Sequence, residues 1–234
     1  MTTQLTFNLP PCTALGRSDF FVSDSNAAAV GWIDRWPDWP CPALVLHGAA
    51  GCGKTHLAHL WCDRASAAFV AGASLDEETV MRLVSEPAHR ILIDDADRAC
   101  ELALLHLHNA CLESGGSLLM TARRPPASWT FALADLGSRL RATIAIEIGA
   151  PDDALLGTVL VKHFADRQLR VAPELVLFLA SHIERSFAAT AEIADRLDAV
   201  SLREGRAITV PLAREILAEH RNHDLPPHRD FGVT

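Results

Sequence analysis

Two hydrophobic patterns divide this chain near residue 150. Between about 43 and 148, five short apolar runs alternate with segments of helical periodicity, and the runs are 44–46, 69–71, 91–93, 118–120 and 144–148. Short apolar strands separated by helices predict a parallel sheet that is covered by helices on both faces. Beyond that point the strand pattern ends, and helical periodicity predicts helices over about 152–167, 173–184, 187–203 and 210–220.

The predicted fold class is α/β, with a parallel five-stranded sheet followed by a small all-α domain. The 234 residues are 49% hydrophobic, enough for a sizeable core. The stretch before residue 43 is rich in Pro and Ser, which predicts irregular structure, and its tryptophans favour a loop packed against the core. We expect four segments: a flexible arm over 1–20, the α/β core over 21–150, a helical lid over 151–219 and a disordered tail over 220–234.

Charge and cysteine usage exclude several classes of protein. The formal net charge of -8 disfavours a surface built mainly to bind nucleic acid. The six cysteines form no C-x-x-C pair, so neither a zinc site nor a disulfide framework is indicated. With no leader pattern and no apolar run of about 18 residues, the sequence predicts a cytoplasmic protein without a membrane span.

One segment satisfies every fixed position of the phosphate-binding pattern G-x-x-x-x-G-K-[ST]. It lies between a predicted strand and a predicted helix, where glycines allow a tight turn and backbone N–H groups can face a phosphate. The sequence therefore predicts a bound nucleotide, with Mg²⁺ held in part by the hydroxyl of Thr55. The predicted nucleotide contacts here are Gly48, Ala49, Ala50, Gly51, Cys52, Gly53, Lys54, Thr55 and His56.

Polar residues end the next strands of the predicted sheet. Asp94 would hold Mg²⁺ through water, and Asp95 would orient or deprotonate an attacking water. Thr121, at the tip of another strand, is a candidate sensor of the γ-phosphate, with Arg123 and Arg124 adding charge. A solvated basic turn explains the two arginines equally well.

Arg139 precedes the last predicted strand. An arginine there can project toward the nucleotide of a neighbouring molecule and stabilise charge on the phosphoryl group. A surface ion pair is the alternative. His106 and His108 are predicted to be ordinary helix residues, because an i, i+2 pair points to different faces of a helix.

Together, the phosphate loop, the Asp94–Asp95 strand, the Thr-x-x-Arg-Pro-Pro turn, the Ser138–Arg139 segment and the helical end resemble the AAA+ module of the bacterial replication initiator DnaA. The resemblance covers roughly residues 20 to 218. It is closer to the Hda-type regulators, a family of short DnaA homologues without the initiator's helix-turn-helix domain. The resemblance implies ADP or ATP with Mg²⁺ as cofactors, and it makes Arg139 an arginine finger that acts in trans.

The N-terminal segment resembles the short motif with which this family binds the sliding clamp of the replicative polymerase. An extended arm would present Leu5, Phe7 and Leu9 as apolar anchors, while Gln4 hydrogen-bonds at the rim of a pocket. The implied partners are therefore DnaA and the sliding clamp, with head-to-tail self-association allowed and no sequence-specific DNA binding expected.

Two departures from the family pattern bear on the protein's own nucleotide, the first on its hydrolysis and the second on discrimination between ATP and ADP. Arg123 stands where an acidic or amide residue is usual, and Ala188 stands where the lid usually provides a nucleotide-contacting arginine. Arg185, three residues earlier, is predicted to lie on the same helical face and is a further predicted nucleotide contact. We therefore expect weak or no intrinsic ATPase activity.

These observations favour a regulator that is bound to the DNA-loaded clamp and stimulates ATP hydrolysis by DnaA, which prevents over-initiation of replication. One alternative is a stand-alone AAA+ ATPase acting on DNA, such as a helicase loader; tight binding to single-stranded DNA would favour it. Another is a P-loop small-molecule kinase, whose turnover a small acceptor would stimulate.

Overall fold

A computed structural model describes residues 21–85 and 89–223, with side chains described as far as residue 219. The chain divides into two compact units, the first ending at Pro151 and the second beginning at Asp152. The regular elements of the first unit are α1 (Ala27–Asp34), β1 (Ala43–His47), α2 (Lys54–Ala65), β2 (Ala68–Ala71), α3 (Glu77–Val84), β3 (Arg90–Asp94), α4 (Glu101–Ser114), β4 (Ser117–Ala122), α5 (Ala134–Ala142) and β5 (Ile144–Glu147).

The five strands form one sheet in the order β2-β3-β4-β1-β5, and every neighbouring pair is parallel. This confirms the predicted α/β class. The chain leaves β1, crosses two intervening strands to form β2 at one edge of the sheet, and places β5 on the other side of β1. Because the strands are parallel, their carboxyl ends all lie along the same side of the sheet. We call this side the carboxyl edge, and α/β sheets usually bind their ligands there.

Alternation along the strands sends side chains to two separate hydrophobic layers. Leu44, Leu46, Leu92 and Leu119 pack with residues of α1 and α2 on one face. Their strand neighbours, among them Val45, pack with residues of α3, α4 and α5 on the other face. The sheet is thus covered on both faces, as its continuously apolar strands predict.

Helix α1 corrects the expectation of irregular structure before residue 43. Its buried residues, Ala29, Val30 and Ile33, follow helical spacing and pack on the α2 side of the sheet. The tryptophans after it do pack as a loop against the core. The ring of Trp39 stacks on Trp61 with 5.5 Å between centroids, and Trp36 meets the same ring edge-on at 6.1 Å.

The second unit is wholly helical within the residues described. It comprises α6 (Asp153–Asp166), α7 (Pro173–His182), α8 (Phe187–Glu204) and α9 (Val210–His223) around an apolar core of its own. Side chains cap two of the helices: Asp152 accepts from Leu155 N (2.7 Å) and Ser186 from Ala189 N (3.1 Å). Helix α9 continues to His223, so the expected tail does not begin at residue 220. None of the described helices has the length and apolar character needed to cross a membrane.

His108 is buried on α4, and its Nδ1 has no hydrogen-bond partner among the described residues. Burial lowers the pKa of its imidazole below the ordinary value of 6.5; the charge of Arg139 lowers it further, and that of Asp135 raises it. His106, two residues earlier, is exposed, in agreement with the prediction that the pair faces different ways.

We expect His108 to make the first unit less stable in mild acid. Between pH 7.5 and 5.5 the unfolded chain takes up a proton near pH 6.5, whereas the buried imidazole resists protonation, so stability falls as the pH falls. The melting temperature of the His108→Leu variant should fall less over this pH range than that of the wild type. His106→Gln is the matched control and should keep the wild-type dependence. Equal pH dependence of all three proteins would contradict the prediction.

Candidate nucleotide-binding site

The phosphate loop, residues Gly48–Thr55, joins the end of β1 to the start of α2 at the carboxyl edge. Gly51 and Gly53 have φ angles of 73° and 98°, which glycine adopts without the steric penalty that a Cβ brings. Gly48 is constrained by contact instead, since a Cβ there would lie 2.3 Å from the carbonyl oxygen of Ile148. The glycines of the sequence pattern thus meet specific backbone requirements.

Lys54 begins α2, and its side chain turns back over the loop. The residue is only 7% exposed, and its ammonium Nζ donates to the carbonyl oxygens of Gly48 (3.0 Å) and Ala49 (2.8 Å). Cys52 is also buried, with its Sγ 3.9 Å from the same Nζ. The loop therefore combines a fixed positive charge with the amino end of a helix, a combination suited to a phosphate group. Thr55 and His56, the next residues of α2, are exposed.

The carboxylate of Asp94 joins two hydroxyl groups from neighbouring elements. Thr55 Oγ1 donates to its two oxygens at 3.0 and 3.3 Å, and Thr121 Oγ1 donates to Oδ1 at 2.5 Å. Ile93 on β3 pairs with Met120 on β4, so the residues that follow each of them meet at the carboxyl edge. Side chains alternate between the two faces of the sheet, and those of Asp94 and Thr121 fall on the face that packs against α2. Both therefore lie on the same side of the sheet as Thr55.

Thr121 is fully buried, and its hydroxyl also accepts a hydrogen bond from Asp95 N at 3.0 Å. Its contacts therefore run to the acidic pair at the end of β3. The predicted contact between Thr121 and a phosphate stays a prediction.

The backbone turns sharply at Asp95, whose φ of 55° lies in the left-handed region. Gly72, directly after β2, supports this turn through a close approach. A Cβ at Gly72 would lie 2.2 Å from the carbonyl oxygen of Asp95 and 3.1 Å from that of Asp94. Sequence reasoning missed Gly72, although a glycine immediately after an edge strand is a signal for close backbone approach.

These residues fit a nucleotide with Mg²⁺. The hydroxyl of Thr55 and the carboxylate of Asp94 are hard oxygen ligands within 3.0 Å of each other, of the kind that Mg²⁺ binds beside phosphates and water. The amides of the phosphate loop and the ammonium of Lys54 would hold the phosphates. A nucleotide bound here would provide a phosphoanhydride and a charge that changes with its number of phosphates.

Arg139 lies on α5, which packs on the face of the sheet opposite α2. Its Nε donates to Asp135 Oδ1 at 3.0 Å, four residues earlier on the same helix. Within the described residues, its Nη1 and Nη2 donate no hydrogen bond, and none joins Arg139 to the phosphate loop. Arg139 thus forms a surface ion pair, which was the alternative prediction, and its Nη1 and Nη2 remain available to another hydrogen-bond acceptor. Arg123 and Arg124 are exposed in the turn after β4.

Among solved structures, this fold is similar to those of DnaA and RuvB. Domain III of DnaA from Thermotoga maritima matches with a TM-score of 0.72 and 17% identity, over 86% of this chain and 94% of that one. AMPPCP-bound DnaA from Aquifex aeolicus matches at 0.68 and 16%, over 92% and 71%. The RuvB branch migration motor of Thermotoga maritima matches at 0.64 and 16%, over 76% and 61%. At these identities the likeness concerns the fold.

A family model identifies the helical unit more closely. Residues 153–217 match the model described as the lid domain of Hda. The second unit is an Hda-type lid domain. Over 86% of its length, the chain has the fold of DnaA domain III.

Within the Hda lid domain, the expected position of Arg185 needs correction. Helix α8 begins at Phe187 with Ser186 as its N-cap, so Arg185 precedes the helix and does not share a helical face with Ala188. Its Nη2 lies 2.8 Å from Asp153 Oδ1 in an exposed ion pair within the lid. The predicted contact of Arg185 with a nucleotide stays a prediction. The predicted clamp-binding residues Gln4, Leu5, Phe7 and Leu9 lie outside the described residues.

Replacing Gly72 by Ala should disturb the acidic pair. The added Cβ would collide with the backbone of Asp95, and overpacking of this kind typically costs about 1–3 kcal/mol. We expect a lower melting temperature and weaker Mg²⁺-dependent binding of ADP, measured by calorimetry. Gly31→Ala is the matched control, because a Cβ there meets no atom within 4 Å. A Gly72→Ala protein that melts and binds ADP as the wild type does would refute this role for Gly72.

Proposed function

We propose that this protein regulates replication initiation by stimulating ATP hydrolysis in DnaA while it is docked on the DNA-loaded sliding clamp. In this proposal Arg139 enters the nucleotide site of ATP-bound DnaA. Its guanidinium stabilises the charge that develops on the transferred phosphoryl group. DnaA in its ADP form then no longer starts replication.

The available edge of the Arg139 guanidinium is the observation that supports this proposal most directly. Arg139 is partly exposed, with 34% of its side chain accessible, and its contact with Asp135 uses Nε alone. Two terminal nitrogens remain for phosphate oxygens, which suits the planar fork of an arginine. Because α5 and α2 cover opposite faces of the sheet, this guanidinium is well suited to a nucleotide held by another molecule.

The protein's own nucleotide has a different role in this proposal. ADP or ATP with Mg²⁺, held by the phosphate loop, Thr55 and Asp94, sets the shape of the module. Turnover of that nucleotide is unnecessary, because the reacting phosphoryl group belongs to DnaA. The exposed Arg123, in place of the acidic or amide residue usual in the family, supports weak or absent intrinsic hydrolysis.

Docking on the clamp is proposed from the sequence of the arm. Gln4, Leu5, Phe7 and Leu9 would bind the clamp as a short extended peptide, with the apolar side chains as anchors. A tether of this kind raises the effective concentration of Arg139 near DnaA at the same DNA. The proposed site of action is the cytoplasm, where these partners meet.

Arg139→Ala should abolish the stimulation of DnaA. Arginine fingers contribute about 10³–10⁵ to kcat in related phosphoryl transfers, so the hydrolysis rate should return to that of DnaA alone. Hydrolysis of radiolabelled ATP by DnaA, with clamp loaded on nicked circular DNA, measures the effect. ADP binding by the variant's own phosphate loop should be unchanged.

Arg141→Ala is the matched control for this experiment. Arg141 lies on the same helix, but its guanidinium packs over the ring of Phe131 at 5.2 Å. The control should keep most of the stimulation. If Arg139→Ala stimulated DnaA as well as the wild type does, the proposed mechanism would be wrong.

Replacing Gln4 and Leu5 together by Ala should weaken binding to the isolated clamp by at least about tenfold, because an anchor residue of an interface contributes about 2 kcal/mol or more. Biolayer interferometry with immobilised clamp measures the Kd. Thr2→Ala with Thr3→Ala alters the same arm outside the motif and should bind normally. Unchanged affinity of the first variant would remove the clamp from the proposal.

A further inference from the structure

We propose that Glu101 and Asp135 are positioning residues for Arg139: Glu101 fixes the start of helix α5, and Asp135 fixes the guanidinium. This inference rests on the proposed function of Arg139. It identifies how the chain prepares that side chain for a nucleotide in another molecule.

Glu101 makes a two-point contact with the backbone before α5. Its Oε1 accepts from Ala132 N at 2.9 Å and its Oε2 from Leu133 N at 2.7 Å, across 31 and 32 positions of the chain. Leu133 is the N-cap residue of α5 and offers no side-chain cap of its own. A carboxylate that accepts from two successive N–H groups forms charge-assisted hydrogen bonds. Its negative charge also interacts favourably with the positive end of the helix dipole. Glu101, the first residue of α4, thereby holds the two residues that immediately precede α5.

Packing fixes the rotation of α5 about its own axis. Leu136 and Leu140 are fully buried on the inner side of the helix. Gly137 brings the backbone close to Phe131, because a Cβ there would lie 3.0 Å from the Phe131 ring. With these residues facing inward, Asp135 and Arg139 share the outer side at i, i+4 spacing.

Asp135 then limits the freedom of the Arg139 side chain. A single bond from Nε to Asp135 Oδ1, 3.0 Å long, holds the base of the guanidinium and leaves its terminal edge open. Asp135 itself is 58% exposed, so this ion pair adds little to the stability of the fold. Its effect is on orientation, since a long side chain otherwise loses much rotamer freedom when it enters a partner's site.

The consequence is a preorganised arginine whose position depends on two acidic side chains outside the nucleotide site. A displacement of about 1 Å at a reacting centre can reduce a rate roughly a hundredfold. Loss of the Glu101 contact would free the segment before α5, and with it the helix that holds Arg139.

Glu101→Ala and Asp135→Ala test the proposal. Stimulation of DnaA is measured against increasing concentration of this protein on DNA-loaded clamp. We expect the maximal rate to fall by roughly tenfold to a hundredfold while the half-saturating concentration stays within about twofold, because docking is intact and only the arginine is displaced. Glu113→Ala removes an exposed carboxylate from the same helix α4 and should match the wild type.

A second measurement separates positioning from general destabilisation. Both acidic variants should bind ADP at their own phosphate loop as the wild type does, because the two acidic residues act on Arg139 and lie outside that site. An increased half-saturating concentration with an unchanged maximal rate would overturn the proposal, as would weaker ADP binding by either acidic variant. A loss of rate that simply follows a reduced folded fraction, monitored by circular dichroism, would overturn it too.

The outcomes also distinguish this inference from the proposed function. If Arg139→Ala abolishes stimulation and both acidic variants stimulate normally, the positioning roles are wrong and the function stands. If Arg139→Ala has no effect, the proposed function fails first, whatever the acidic variants do.

Discussion

The candidate nucleotide site depends on one carboxylate that three elements share. Asp94 is the last residue of β3. Its carboxylate accepts one hydrogen bond from the hydroxyl of Thr121 on β4 and another from the hydroxyl of Thr55 at the start of α2. These hydrogen bonds involve a charged acceptor, and one of the donors is fully buried, so each is stronger than a neutral pair in water. They tie the phosphate loop to the sheet at the edge where ligands of parallel sheets bind. The hydrophobic layers below determine the strand register, and that register brings the polar groups together.

Close backbone packing around this carboxylate restricts the neighbouring residues. Asp95 adopts a left-handed conformation, which Asp tolerates better than most residues. The carbonyl groups of the acidic pair approach Gly72 too closely for any side chain there. Backbone from the edge strand β2 thus supports a site whose side chains come from the inner strands. Strain of this kind persists where surrounding contacts determine the conformation, as it does at many functional sites.

Local patterns explain which features could be predicted from the sequence. The five strands, the phosphate loop and the lid helices each have a signal within a few neighbouring residues, and the parallel sheet follows from their alternation. Helix α1 was missed because its three buried positions, Ala29, Val30 and Ile33, are all small or β-branched and form only a weak apolar stripe. The roles of Gly72 and Glu101 depend on contacts with distant parts of the chain. A glycine after an edge strand signals a close backbone approach but does not identify the partner, and no local pattern marks Glu101. Arg185 was misplaced because a cap residue, Ser186, starts α8 after it.

The two halves of the proposed mechanism use different layers of one domain. The phosphate loop and Asp94 belong to the face covered by α2, whereas Arg139 belongs to α5 on the opposite face. In this mechanism the arginine of one molecule contacts the nucleotide of another. The two contacting surfaces are different, so the contact is heterologous. Such contacts do not close on themselves in a pair, and each molecule keeps one unused face. A clamp-bound regulator of this kind can therefore hold its own nucleotide unchanged while its arginine acts on successive molecules of DnaA.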